Sequence, residues 1–150
     1  MKKFNVALYE PEIPQNTGNI ARLCACTGAN LYLIGKLGFS LSSKYMKRAG
    51  LDYWNDVKIE KVDTLEQLQA ANPNSNFYYL TTKSKKTIYT VDFKENDFLV
   101  FGPETRGLPE DLLFSHKDIS ITIPMRENER SLNLSNSVAI TLYEAIRQNL

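Results

Sequence analysis

The chain has 150 residues, of which 43% are hydrophobic and 23% charged, with a formal net charge of +1. That is the balance of a single globular domain, residues 1–150, with a real core. No apolar run approaches the roughly 18 residues of a membrane span, and residues 1–10 pass from two lysines straight into a strand-like run too short for a secretory signal. The expectation is a cytoplasmic protein with no membrane partner.

Six strand-like runs and five helical ones alternate along the chain. In order they are a strand at 4–9, a helix at 16–27, a strand at 30–34, a helix at 44–49, a strand at 57–62, a helix at 64–71, strands at 77–81 and 98–101, a helix at 109–114, a strand at 119–123 and a helix at 134–148. Most strands are continuously apolar or β-branched, as in a sheet covered on both faces. The alternation implies an α/β fold with a mostly parallel sheet flanked by helices. In the last helix Leu134, Val138, Leu142 and Ile146 form one apolar stripe, which would suit either the core of the chain or an interface between chains. There are no internal repeats, low-complexity tracts or linkers. Cys24 and Cys26 lie two apart on a helix and so point to different faces, which argues against a disulfide. His116 is the sole histidine and distant in sequence, so no metal site is expected.

Ligands of parallel α/β sheets bind at the carboxyl ends of the strands, and three of the loops there are unusual. In the first, residues 10–19 (EPEIPQNTGN), Pro11 and Pro14 stiffen the chain while Asn16, Thr17 and Gly18 open a helix. Arg22 falls off the apolar stripe of that helix, which is made by Ile20, Leu23, Cys24 and Thr27. Its planar guanidinium suits a phosphate or a reacting hydroxyl, and a solvated arginine would occupy the same position. Glu10 and Glu12 fix no carboxylate separation, so they do not support a glycosidase. In the second loop, residues 102–109 (GPETRGLP), Gly102 would let a ligand approach bare main chain. Glu104 and Arg106 project from a segment constrained by Pro103, Gly107 and Pro109. No Lys-Ser/Thr ending makes it a phosphate-binding P-loop, and no GxGxxG opens a helix. The third loop, residues 124–136, places Ser131, Asn133, Ser135 and Asn136 where the last helix begins, more hydroxyls and amides than capping requires.

Taken together, Asn16 through Arg22, FGPETRGLP at 101–109 and IPM…SLNLSN at 123–136 resemble the three motifs of the SPOUT class of RNA methyltransferases. The similarity extends to the small TrmL-type members, which 2′-O-methylate the wobble nucleotide of tRNA. YEPEIPQNTGNIARLCACTG at 9–28 and RAGLDYW at 48–54 add to it, and it spans residues 4–148. The resemblance implies a deep C-terminal trefoil knot, an exception to the general rule against knots. It implies S-adenosylmethionine as methyl donor, held by Leu80, Gly102, Ile123 and Ser131. It implies a catalytic set of Arg22, Asn16, Glu104, Ser131 and Asn133, with Tyr143 a lesser candidate. It also implies a homodimer with the last helix in its interface, and as partner the anticodon stem-loop of tRNA, leucine tRNAs foremost, modified at cytidine or uridine 34. Of three local basic clusters, Lys44/Lys47/Arg48, Lys83/Lys85/Lys86 and Arg126/Arg130, the first two are the candidates for phosphate contacts. Within the resemblance, another RNA position or an inactive RNA-gripping dimer are the competing readings.

Overall fold

The computed structural model describes residues 1–42, 44 and 54–150. Of the expected helix at 44–49 only Lys44 is described. Lys47, Arg48 and most of the 48–54 segment lie outside the described residues.

The described elements are β1 (Asn5–Tyr9), α1 (Pro14–Thr27), β2 (Asn30–Ile34), β3 (Ile59–Val62), α2 (Leu65–Ala71), β4 (Phe77–Leu80), β5 (Phe98–Phe101), α3 (Glu110–Ser115), β6 (Ser120–Ile121) and α4 (Leu134–Gln148). All described strands join one parallel sheet in the order β3-β2-β1-β5-β4-β6. The sequence places each strand, although β3 starts at Ile59 rather than 57 and β6 is shorter than expected. Beyond β6, Thr122 makes only an isolated bridge to Thr87.

Successive side chains along a strand point to opposite faces. On one face Val6, Leu8, Leu31, Leu33 and Leu99 pack under Ile20 and Cys24 of α1 and Val138, Leu142 and Ala145 of α4. On the other, Ala7, Tyr32, Ile34, Phe98 and Val100 pack under Leu65 and Leu68 of α2 and Leu113 of α3. Both faces are therefore dry, which is why the strands read as unbroken apolar runs. The Leu134, Val138, Leu142 and Ile146 stripe is buried within the chain itself. Each such side chain contributes roughly 1.5–3 kcal/mol on leaving water. Of its two possible uses the stripe serves the core, and α4 exposes Ile140 and Tyr143 instead.

Both cysteines are free thiols. Burial pushes the Cys24 thiol up to about 12, whereas Cys26 is exposed.

The strand order reverses direction between β1 and β5. From β1 the chain goes over α1 to β2, on one face; from β5 it goes over α3 to β6, on the other. The loops leaving β1 and β5 diverge there, and such a switch point opens a crevice at the carboxyl edge of the sheet. No described helix is long and apolar enough to cross a membrane.

Candidate functional site

A cavity of about 710 Å³ lies at that edge, walled by the segments that follow β4, β5 and β6 and by the start of α1. Leu80, Phe101, Leu108, Leu113, Ile123 and Leu134 give it apolar walls. Seven of the eight sequence-predicted residues line it: Asn16, Leu80, Gly102, Glu104, Ile123, Ser131 and Asn133. A cavity of this size with apolar walls and a few convergent polar groups fits a nucleoside-sized ligand.

The polar residues are arranged around the start of α1. Its cap position is Ile13, whose side chain makes no capping bond, and the Asn16 and Thr17 N–H groups of the first turn donate to the Ile13 carbonyl. Glu104, from the second loop, holds the two residues just ahead of the helix. Its Oε1 accepts from the Glu12 N–H at 2.8 Å, and its Oε2 accepts from the Ile13 N–H at 2.8 Å and from Asn16 Nδ2 at 3.1 Å. Asn16 Oδ1 in turn accepts from Asn133 Nδ2 at 3.1 Å. Asn133 Oδ1 caps α4, accepting from the N–H groups of Ser135 at 2.9 Å and Asn136 at 3.3 Å. One line of hydrogen bonds thus joins the three unusual loops and the starts of two helices. Ser135 adds its hydroxyl to the same Asn133 oxygen at 2.6 Å, so its apparent surplus in the sequence belongs to the cap.

The second loop is held in return. Glu12 Oε1 accepts from the N–H and hydroxyl of Thr105 at 2.9 and 2.7 Å, and the Thr105 N–H foremost holds the Glu12 carboxyl below its ordinary value. Arg106 Nη2 reaches Glu10 Oε1 at 3.3 Å. The sequence offers no sign of this reciprocal clamp, since Glu10 and Glu12 lie some ninety residues from their partners.

Gly102 lines the cavity and is required by the loop itself as well. A Cβ there would lie 2.2 Å from the Leu108 nitrogen and 2.3 Å from the Gly107 carbonyl carbon. The bare backbone makes room for the loop's own return, helped by Gly107 at φ +68°, and in this way shapes the cavity wall. Ser131 lines the cavity and makes no hydrogen bond among the described residues.

Arg22 is the predicted residue that the structure sets apart. It sits on the exposed face of α1 and is not in the cavity wall, six residues and so roughly 9 Å along the helix axis from Asn16. Tyr143 is half exposed on α4 and also outside the wall. Lys83, Arg106 and Arg130 also line the cavity, the first two paired with Glu110 and Glu10. A second hollow, about 460 Å³, lies beyond Pro109 and is lined by Glu10, Asp63, Glu66 and Asp111. Among the described residues no group of three His, Cys, Asp or Glu is placed to hold a metal ion.

The model of the SpoU rRNA Methylase family matches residues 3–143. The chain is 50% identical over 147 residues to the tRNA (cytidine(34)-2'-O)-methyltransferase of Methylovorus glucosotrophus, covering 97% of this chain and 96% of that one. It superposes with a TM-score of 0.92, at 42% identity, on a structure solved for the 2-OH methylation of C/U34 on tRNA; 99% of this chain and 97% of that one are covered. The AdoMet-bound rRNA methyltransferase of Sinorhizobium meliloti matches with a TM-score of 0.86 at 25% identity, covering 100% of this chain and 58% of that one.

Proposed function

The chain belongs to the SpoU rRNA methylase family, and on that premise we propose that it is a TrmL-type enzyme. It transfers a methyl group from S-adenosylmethionine to the ribose 2′-hydroxyl of the nucleotide at position 34 of tRNA, cytidine or uridine. The observation that carries this reading is identity of about one half, over nearly the full length of both chains, with a methyltransferase of that position. The whole chain then acts as one methyltransferase domain, in the cytoplasm where tRNA is matured. Leucine tRNAs are the expected substrates.

The donor fits the residues present. Leu80 and Ile123 offer apolar surface at the ends of β4 and β6, the loop closed at Gly102 offers main chain, and Ser131 an uncommitted hydroxyl. When bound, S-adenosylmethionine supplies a methyl group on a positively charged sulfur, already activated for displacement. Much of the acceleration then comes from positioning. Glu104, Asn16 and Asn133 serve that end by fixing the three loops against one another, rather than by touching the methyl group. Arg22, with its planar five-donor guanidinium, orients the ribose 2′-oxygen and stabilises its developing negative charge.

The position of Arg22 outside the cavity of its own chain favours a homodimer in which each site draws on both copies. The exposed Ile140 and Tyr143 of α4 provide an apolar face for such a contact. The knot belongs to the same reading. It is supported by the path of the chain, which pairs Thr122 with Lys86 and Ile88 and then returns to Asn16 and the α1 side of the sheet.

The test is methyl transfer from labelled S-adenosylmethionine to total tRNA from a strain lacking the protein, followed by mapping of the modified nucleotide. Label at the 2′-oxygen of nucleotide 34 is expected. Label at another tRNA position or in ribosomal RNA would move the target, and tight binding of tRNA without transfer would make the protein an inactive RNA-gripping dimer.

A further inference from the structure

Phe114 ends the exposed side of α3 with 73% of its surface in solvent, the most exposed aromatic among the described residues. Its neighbour Leu113 is buried and lines the large cavity, while Phe114 is not part of the cavity wall. Lys117 Nζ lies 4.4 Å from the ring centroid. The loop after β4 is bound to the same segment: Lys83 Nζ meets Glu110 Oε1 at 2.5 Å, and the Ser84 hydroxyl donates to the Ser120 carbonyl at 2.7 Å. That loop also carries Lys85 and Lys86, both exposed and without a carboxylate partner among the described residues.

These groups have a common use. An exposed ring with cations beside it is a poor match for water and a good one for a nucleobase, because every base has a flat π-face and sits on a negatively charged backbone. Among the described residues Lys83 is held by Glu110, whereas Lys85, Lys86 and Lys117 are in no ion pair with a carboxylate.

We propose that Phe114, with Lys117 at its face and Lys85 and Lys86 on the adjoining loop, is a stacking platform for an unpaired nucleotide of the RNA, next to the one held for reaction. The proposal rests on the reading of the protein as a tRNA methyltransferase and adds a surface that recognises its substrate. Because the ring lies outside the cavity, it acts on RNA affinity and not on the transfer step.

The experiment measures binding of a fluorescein-labelled anticodon stem-loop of tRNA by anisotropy across a salt series, together with KM and kcat for methyl transfer. Phe114→Ala is expected to weaken binding between about 5- and 150-fold, the range for loss of one stacked base. KM for RNA rises by the same factor with kcat unchanged. Phe114→Trp restores affinity and Phe114→Leu does not, which separates stacking from simple apolar contact. The Lys85→Ala, Lys86→Ala double variant flattens the dependence of log affinity on log salt by about 1.4, or 0.7 per single-strand phosphate contact. Thermal melting of every variant as wild type excludes a folding defect.

Wild-type binding retained in Phe114→Ala would overturn the platform and leave the methyltransferase reading standing. No binding of the stem-loop by the wild type would overturn both. Unchanged RNA affinity with a smaller size in solution would make this face a contact between copies of the chain, and overturn the platform too.

Discussion

Removing the Glu104 side chain tests whether this residue holds the site or takes part in the chemistry. Its carboxylate accepts three hydrogen bonds, two from the Glu12 and Ile13 main-chain N–H groups just ahead of α1 and one from Asn16. Loss of the two main-chain bonds costs about 1–2 kcal/mol, and loss of the Asn16 bond about 1–2 kcal/mol. Glu104→Ala should therefore destabilise the chain by about 2–4 kcal/mol. At about 2–4 °C per kcal/mol for a domain of this size, the melting temperature falls by roughly 4–16 °C. Glu104→Gln keeps one acceptor oxygen but turns an NH₂ group towards a donor, and should cost about half as much. With the second loop released, the cavity wall shifts. Calorimetric affinity for S-adenosylmethionine then weakens together with stability, and a misplacement near 1 Å lowers turnover by up to about 100-fold. A Glu104→Ala protein with wild-type melting and wild-type donor affinity, yet no turnover, would refute the structural role and make Glu104 a participant in the reaction.

Three other perturbations probe neighbouring parts of the site. Gly102→Ala sets a Cβ against main chain at Leu108 and Gly107, so melting temperature and donor affinity should fall together, by about 1–3 kcal/mol for the strain; lost affinity with unchanged melting would show that the space belongs to the ligand. Arg22→Ala should abolish methyl transfer while calorimetric donor affinity stays near wild type, and equal loss of both would assign the residue to the fold. The Glu12 carboxyl is held below the ordinary glutamate value near 4.5, chiefly by the Thr105 N–H. Its contribution is thus present above that value and is lost as pH falls through the lower folded-state value. Glu12→Gln should remove part of the acid sensitivity seen in melts between about pH 6 and pH 3, and identical slopes for both proteins would refute the clamp.

The architecture was legible because burial leaves a periodic record. Continuous apolar strands such as 98–101 and 30–34 can only be covered on both faces, and the four-residue spacing of Leu134 to Ile146 falls on the buried side of α4, which also takes in Thr141, Glu144 and Ala145. Boundaries slipped where side chains from elsewhere decide them. α1 begins at Pro14 rather than Asn16: Pro14 takes the first helical position, where its missing N–H costs nothing, and Glu104 from a distant loop fixes the two residues ahead of it. At Gly102 the sequence shows half of the requirement. A missing Cβ is visible in a sequence, but the close return of the loop at Gly107 and Leu108 is not. The residues that line the cavity were reached through the resemblance and not through spacing alone.

The direction of the hydrogen bonds explains the residue types that no periodicity could predict. The N–H groups of α4 donate to the Asn133 oxygen, the Asn133 amide donates to the Asn16 oxygen, and the Asn16 amide donates to Glu104. Each inner member must accept on one side and donate on the other, which among short side chains only asparagine does with both groups in one plane. Aspartate at position 16 would set a carboxylate against Glu104 and have nothing to donate. The last member must accept several times and donate never, which is the property of an ionised carboxylate. The polarity runs from the positive end of the α4 dipole towards the negative charge of Glu104 beside the residues ahead of α1. A change at any one of the three positions therefore loosens the loops on both sides of the cavity, even though the residues are 88 and 117 positions apart in the chain.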